Sequence, residues 1–424
     1  MEQYKKYRNL SITVFGRGGG VEHADGIRLQ RLDHKLNIQL ASVFEQVILV
    51  PLVYRYGSPL WENFAQYYKE EVKGNQIKVL PVYNYSSFNR TSELAARICA
   101  WKIWIPSLFR ALRCSDLALI FFPSTLGLIG AGIGFFMRKP MIAYIGADWA
   151  VINPRTGELT KPRGFKRLFF EAKSVVGNFL TWRFRAVLMR DYGLYKRWLK
   201  RRPGVFYVPG NTAVSKDDLY ERSDTCLGEP IVCLVVAALI PRKGVDDIIR
   251  AIKMLRQEGY PVKLWHVGGS YPENFAASVS LCQRLRVDKH VVFHGYKNDL
   301  DELLSLYRQA DIFVLASHSE GYPRSITEAQ SQSLPIIATR VGGIPDRLQD
   351  EHHAILINPR KPEEIAKAIE KTISDRLMRK NLIANSFRMA QEELSGRSAL
   401  QVIADVIAKR FSELDKTSGN EQGE

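Results

Sequence analysis

Short apolar runs alternate with helix-periodic stretches along most of the chain. In the first half the runs are Ser11–Phe15, Gln46–Val50, Ile77–Val82, Leu117–Phe122, Met141–Ile145, Ala186–Met189 and Val205–Val208. In the second they are Ile231–Val236, Lys263–Val267, Val291–Phe293, Ile312–Leu315, Pro335–Ala338 and Ala354–Ile357. Continuous apolar runs of this length suit strands buried on both faces, and their alternation with helices predicts a parallel α/β architecture. The chain has 424 residues, more than one hydrophobic core comfortably organises, so the pattern reads as two doubly wound units and not one long sheet.

Neither period persists through the polar stretch Asn211–Glu229, and Pro230 announces a new strand, which places the boundary there. The expected domains are residues 1–215 and 216–395. A last helical pattern at 396–414 is expected to pack back toward the first domain. Residues 415–424 are polar and without aromatics, as in a disordered tail. Leu117–Met137 is uncharged over 21 residues, long enough to span a membrane. Pro123, Ser124, Thr125 and four glycines instead favour a strand, a turn and a helix ending at Arg138-Lys139.

Composition is that of an ordinary globular protein, 46% hydrophobic and 25% charged. The five cysteines are scattered without a Cys-x-x-Cys spacing, and the apolar run after the basic start, Ile12 to Phe15, is too short for a signal peptide; a cytoplasmic location with reduced thiols is expected. Charge changes the picture more. Residues 1–215 carry 32 Lys and Arg against 14 Asp and Glu, whereas residues 216–424 carry 28 against 30. An excess confined to one half implies an anionic partner for it, unless it is only a solvated surface. Trp101, Trp104 and Phe109 interleave with Lys102, Arg110 and Arg113, and Arg183 to Arg202 surround Trp182, Tyr192, Tyr195 and Trp198. Such segments fit either the interface of an acidic membrane, with the protein peripheral on its inner face, or packed helices with a basic edge. No motif for binding RNA or DNA is present, so nucleic acid is not an expected partner.

Two glutamates, Glu320 and Glu328, stand eight apart, one in the loop after Ile312–Leu315 and one in the helix that follows. That puts two carboxylates at a strand-to-helix corner, where α/β sheets present ligands, and each can accept hydrogen bonds from two hydroxyls of a polyhydroxylated ligand. Arg242 and Lys243 precede a helix expected at Val245–Leu255, where backbone N–H groups and fixed cations suit a phosphate. Asp299-Leu300-Asp301 resembles an Asp-x-Asp metal motif, but its place at a helix start suits capping better, and no histidine shows ligand spacing.

In order along the second half come Pro241-Arg242-Lys243-Gly244-Val245, Val267-Gly268-Gly269, Val292-Phe293-His294-Gly295, Tyr307-Arg308-Gln309-Ala310-Asp311, Glu320-x7-Glu328-Ala329 and Gly342-Gly343-Ile344-Pro345. This series resembles the C-terminal domain of retaining GT-B nucleotide-sugar glycosyltransferases, glycosyltransferase family 4. The first half resembles the family only in outline, through a Gly-rich turn at Gly16–Gly20 and a Gly146-Ala147-Asp148 turn.

The resemblance implies a GT-B fold of two Rossmann-like domains facing across a cleft. It implies a hexosyltransferase that moves sugar from a nucleotide diphosphate to a lipid-linked or polysaccharide acceptor, with retention and without an essential metal or other cofactor. Arg242 and Lys243 would face the diphosphate, Glu320 with the N–H groups of Gly321 and Tyr322 beside Pro323 the sugar, and Glu328 the ribose. Gly18, Gly19 and Gly268 would let backbone approach the donor, and Asp148 would orient the acceptor hydroxyl or merely cap a helix. Two departures stand out: Ala238 occupies a position where the family commonly has Arg, and the Ile145–Ala147 turn lacks a histidine that many relatives carry. Alternatives are an epimerase or phosphorylase on the same architecture, or a non-catalytic protein that binds anionic surfaces.

Overall fold

In the computed structural model the described residues run from 7 to 208 with breaks, the longest at 57–69, 84–92 and 147–178, and continuously from 212 to 411. They form two units. The first contains β1 (Ser11–His23), β2 (Gly26–Leu29), α1 (Arg31–Ala41), β3 (Gln46–Tyr54), β4 (Glu70–Glu71), β5 (Ile77–Val79) and β6 (Val82–Tyr83). It continues with α2 (Glu93–Arg113), β7 (Leu117–Phe122), α3 (Thr125–Phe136), β8 (Met141–Ile145), β9 (Ala186–Met189), α4 (Tyr192–Leu199) and β10 (Val205–Tyr207). Parallel pairing sets the order β10-β9-β8-β7-β1-β3, with β5 and β6 in succession along the outer edge of β3. β7 and β8 are buried at every position, as the uninterrupted apolar runs require of strands covered on both faces.

The uncharged run from Leu117 resolves into β7 and the 12-residue α3, whose N-cap Ser124 accepts a hydrogen bond from Gly127 N–H at 2.8 Å. Among the described residues no helix is long and apolar enough to cross a membrane.

One expectation is corrected. Gly16–Gly20 is not a turn: β1 continues through it to His23, with a register shift against β3 between Phe15 and Gly19. Before the shift β1 lies between β3 and β7; beyond it β2 pairs antiparallel with Gly20–His23 where β7 has ended. The irregularity absorbs the glycines as a bulge does, so the ladder resumes beyond them. Gly18 and Gly19 therefore lie within a strand, Gly19 opposite Leu52.

The second unit contains β11 (Ile231–Val236), α5 (Val245–Gln257), β12 (Val262–Val267), α6 (Pro272–Leu285), β13 (Val291–Phe293), α7 (Leu300–Gln309) and β14 (Ile312–Leu315). After these come α8 (Arg324–Ser331), β15 (Ile336–Thr339), α9 (Ile344–Arg347), β16 (Ile355–Ile357), α10 (Pro362–Ser374) and α11 (Arg376–Ser395). Its sheet is parallel throughout, in the order β13-β12-β11-β14-β15-β16. One core lies between the sheet and α5 and α10, the other between the sheet and α7 and α8. Connections leave β11 in one direction and β14 in the other, so the order reverses between these two strands, where doubly wound sheets open a crevice at their C-terminal edge.

The final helix, α12 (Ala399–Arg410), belongs to the first unit. Ser398 and Gln401 form its capping box. Its buried Ile403, Val406 and Ile407 join the core of Leu36 and Leu40 on α1, and Tyr7 donates its hydroxyl to Ala404 O at 3.1 Å.

Candidate active site

The order reversal in the second unit brings two distant loops together. Ala237–Lys243 follows β11 and Ser317–Tyr322 follows β14, its hydrogen-bonded neighbour. Pro241–Lys243 makes a single 3-10 turn that ends on Gly244 at φ 65°, from which α5 begins. A Cβ on Gly244 would meet Ala316 O at 2.0 Å, so only glycine allows the turn to press this closely on the end of β14.

Within this corner Lys243 Nζ donates to Glu320 Oε1, and Ser317 Oγ donates to the same oxygen at 2.8 Å. Arg242 Nη1 lies 3.6 Å from Glu320 Oε2 and donates to Ser319 O at 2.5 Å. The Glu320 side chain is 9% exposed and those of Arg242 and Lys243 16%, so the cations are held at the edge of the protein and not spread into solvent. Arg242 Nε is buried with no hydrogen-bond partner among the described residues, a donor left for a ligand.

The loop beneath is rigid. Thr339 Oγ1 donates to Ser317 O at 2.6 Å, and His318 N–H to Arg242 O at 2.7 Å. Gly342, at φ 55°, passes so close that a Cβ would stand 1.7 Å from Glu320 O, and Gly343 N–H donates to Gly321 O at 2.8 Å. Tyr322 is buried, its ring covered by the Arg347 guanidinium at 4.1 Å, and Arg347 is in turn paired with Glu393 at 2.8 Å. Pro323 is the N-cap of α8.

Two acids in the first turn of α5, Asp246 and Asp247, would oppose an anion there. Ser278 Oγ donates to Asp246 at 2.9 Å and His318 Nε2 meets Asp247 at 2.8 Å. Those contacts hold both carboxylates to Ser278 and His318, and the donors at the corner are Arg242, Lys243 and the N-terminal N–H groups of α5.

Glu328, buried on α8, accepts a hydrogen bond at 2.9 Å from the hydroxyl of Tyr307 on α7. Gly268 follows β12, donating its N–H to Gly295 O at 2.9 Å. Near it His266 Nε2 donates to Ala237 O at 3.0 Å. Burial holds the His266 imidazole down to about 4, against the pull of that hydrogen bond.

The structure thus places Arg242, Lys243, Glu320 and Gly321 to Pro323 at one corner, Gly268 and Glu328 on adjoining elements of the same unit, and Gly18 and Gly19 in the first unit. Asp148 lies outside the described residues. Asp299 is the N-cap of α7, accepting from Glu302 N–H at 2.9 Å. Among the described residues no three His, Cys, Asp or Glu side chains are grouped as metal ligands. Ser317, the His318–Asp247 pair and Arg347 were not legible as site residues, since nothing in their spacing tells which way a loop side chain points.

Among known proteins, a family match covers much of this unit. Residues 220–389 match the model of glycosyl transferases group 1. Arg242, Lys243, Gly268, Glu320 and Glu328 all fall inside the group 1 segment, and so do Tyr307 and Arg347. An uncharacterized glycosyltransferase of Methanocaldococcus jannaschii is 33% identical over 218 residues, 51% of this chain and 55% of that protein. The capsular polysaccharide biosynthesis glycosyltransferase CapM of Staphylococcus aureus is 26% identical over 205 residues, 48% of this chain and 52% of its own. The chain spans about half the length of these curated relatives. Crystalline Anabaena HepE in complex with UDP-glucose aligns over 96% of this chain and all of its own, at TM-score 0.63 and 15% identity. At that identity the likeness is one of fold, and the fold is GT-B, with a Rossmann-like sheet in each unit.

Proposed function

We propose that the chain is a retaining glycosyltransferase that moves a hexose-type sugar from a nucleotide diphosphate to a hydroxyl of a lipid-linked or growing polysaccharide acceptor. The observation that carries this reading is the corner at the order reversal, where two cations and a carboxylate converge. As the bond from C1 to the β-phosphate oxygen lengthens, negative charge grows on the diphosphate. Arg242, Lys243 and the N-terminus of α5 are fixed where that charge would develop, and so would lower the barrier without reorganisation. Cations already in place beside the leaving group are consistent with a metal-independent reaction.

Glu320 would accept hydrogen bonds from sugar hydroxyls and Glu328 from the ribose. In the step itself the C1–oxygen bond to phosphate breaks and the acceptor oxygen bonds C1 from the same face. The acceptor proton passes to the departing phosphate oxygen, so no protein nucleophile is needed and the protein supplies position and charge. The name of CapM, a capsular polysaccharide biosynthesis glycosyltransferase, supports a saccharide acceptor.

For the acceptor side we propose an anionic membrane surface met by the first unit, with the protein peripheral in the cytoplasm. On α2, Trp101, Ile105 and Phe109 are 44%, 48% and 42% exposed. Their spacing of four places them on one stripe, with exposed Lys102, Arg110 and Arg113 beside it. An apolar stripe flanked by cations fits the headgroup region of an acidic bilayer.

A thermal-shift panel of UDP, GDP, ADP and CMP with their common sugars, with and without EDTA, tests the donor site. One nucleoside diphosphate should raise Tm, EDTA should leave the shift unchanged, and Glu328→Ala should reduce it. No shift with any nucleotide in folded protein rejects the donor site, and a shift that EDTA abolishes rejects metal independence. Consumption of donor without added acceptor would instead indicate an epimerase or a hydrolytic reaction.

A further inference from the structure

The stretch Tyr307–Asp311 has no part in the function proposed above, yet its two ends do different things. Asp311 is architectural: its carboxylate accepts the N–H groups of Cys226 and Val232, each at 2.8 Å, and so fixes the start of β11. Tyr307 points the other way, toward the site. It is wholly buried, with its ring 5.9 Å from that of Phe313. Its hydroxyl is 2.9 Å from Glu328 Oε2 and 3.4 Å from Ser325 O. A phenol has one proton to give, and the shorter contact takes it.

The backbone that carries Tyr307 is pinned as well. Arg222 donates through Nη2 to Tyr307 O at 3.1 Å and through Nη1 to Arg308 O at 2.8 Å, closing the open carbonyls at the end of α7. Burial first, and then the neighbouring Glu328 charge, pushes the Tyr307 phenol well above its ordinary range. The hydroxyl is therefore a donor at every physiological pH.

A glutamate has three side-chain torsions, and a carboxylate accepts about four hydrogen bonds. One bond from a fixed phenol sets the plane of the carboxylate without exhausting it. We infer that Tyr307 is a positioning residue that sets the Glu328 carboxylate to receive the vicinal hydroxyls of a nucleotide ribose. The inference rests on the donor site proposed above, and adds that ribose recognition is preorganised from α7. Removing the hydroxyl takes away one hold on the Glu328 carboxylate while leaving the base and diphosphate contacts in place.

The test is calorimetric titration of the full chain with UDP and GDP and with their 2′,3′-dideoxy forms, for the wild type, Tyr307→Phe, Glu328→Gln and the double variant. Tyr307→Phe keeps the ring, and its urea midpoint without nucleotide checks that the fold survives. Wild type should prefer the ribose form of its nucleotide by about tenfold or more, the discrimination a built hydroxyl site gives. Tyr307→Phe should weaken that form about five- to twentyfold, leave the dideoxy form unchanged, and add nothing in the Glu328→Gln background. An equal loss on ribose and dideoxy forms would make Tyr307 merely structural, and an unchanged ribose affinity would remove it from the site; either overturns the inference while the donor site stands. A wild type that ignores the hydroxyls, or binds neither nucleotide, overturns the ribose assignment itself and this inference with it.

Discussion

Charges are paired at the strand-to-helix corner of the second unit and exposed along α2 of the first. At the C-terminal edge of the second sheet Lys243 and Arg242 meet Glu320, and Arg347 meets Glu393. On α2 of the first unit Lys102, Arg110 and Arg113 are exposed beside an exposed apolar stripe. Pairing at low exposure fixes side chains within a fraction of an ångström, which suits one small ligand of defined shape. Exposed cations on flexible stems suit an extended surface of diffuse charge, whose binding is lost in salt. On the function proposed above, the same βα repeat would serve two kinds of recognition, according to whether the charge is fixed or spread.

Breaking the fixed set should have the largest effect. Lys243→Ala removes the closest cation from Glu320 and one of two from the developing diphosphate, and kcat should fall about 10²- to 10³-fold, the range for losing one preorganised donor. Steady-state kinetics with the nucleotide sugar found by the thermal-shift panel decides it. A rise in KM at constant kcat would mean that Lys243 holds the ground state and the transition state equally.

A buried histidine gives the next effect. His266 is held near 4 in the fold, below its ordinary value, so the folded state refuses a proton that the unfolded chain accepts. The stability this contributes is present above about pH 6.5 and is lost as pH falls from there toward about 4, to a limit on the order of 3 kcal/mol. Urea midpoints followed across that window should decline in the wild type. They should decline less in His266→Gln, which can still donate to Ala237 O but does not titrate. Equal slopes would show that His266 is not the group that couples acid to the second unit.

How far the sequence reached depended on what each feature needed. Every strand of the second sheet follows a mainly apolar run, and β11 and β14, at its centre, contain no charged residue at all. β2 and β4 were not expected: one adjoins glycines and the other is a pair of glutamates, and only pairing with β1 and with each other makes them strands. Gly16–Gly20 was misread for the same reason, since glycine's local preference for turns is overridden by neighbours on both sides. In the site, Arg242, Lys243 and Glu320 were legible as types and by resemblance, and the adjacency of β11 and β14 then joins residues 77 apart in sequence. That Ser317 shares an oxygen of Glu320 with Lys243, or that Tyr307 reaches Glu328, depends on rotamers and helix phase, which no spacing rule supplies.

The smallest effect belongs to the displayed charge, and it is also the sharpest test of the contrast. Trp101→Ser with Phe109→Ser removes the two aromatic rings of the α2 stripe, which the structure leaves exposed and outside the buried core, so the fold and nucleotide binding should be unaffected. Co-sedimentation with acidic vesicles should weaken about tenfold, and Lys102→Ala with Arg110→Ala should weaken it about thirtyfold at low salt, near 1 kcal/mol for each cation. High salt should erase the difference made by the charge variants and keep much of that made by the aromatic ones, because screening acts on charge and not on buried rings. Wild type binding neutral and acidic vesicles alike would show that the excess of positive charge in the first unit is solvation only, and the contrast between fixed and spread recognition would then hold for one unit of the chain instead of two.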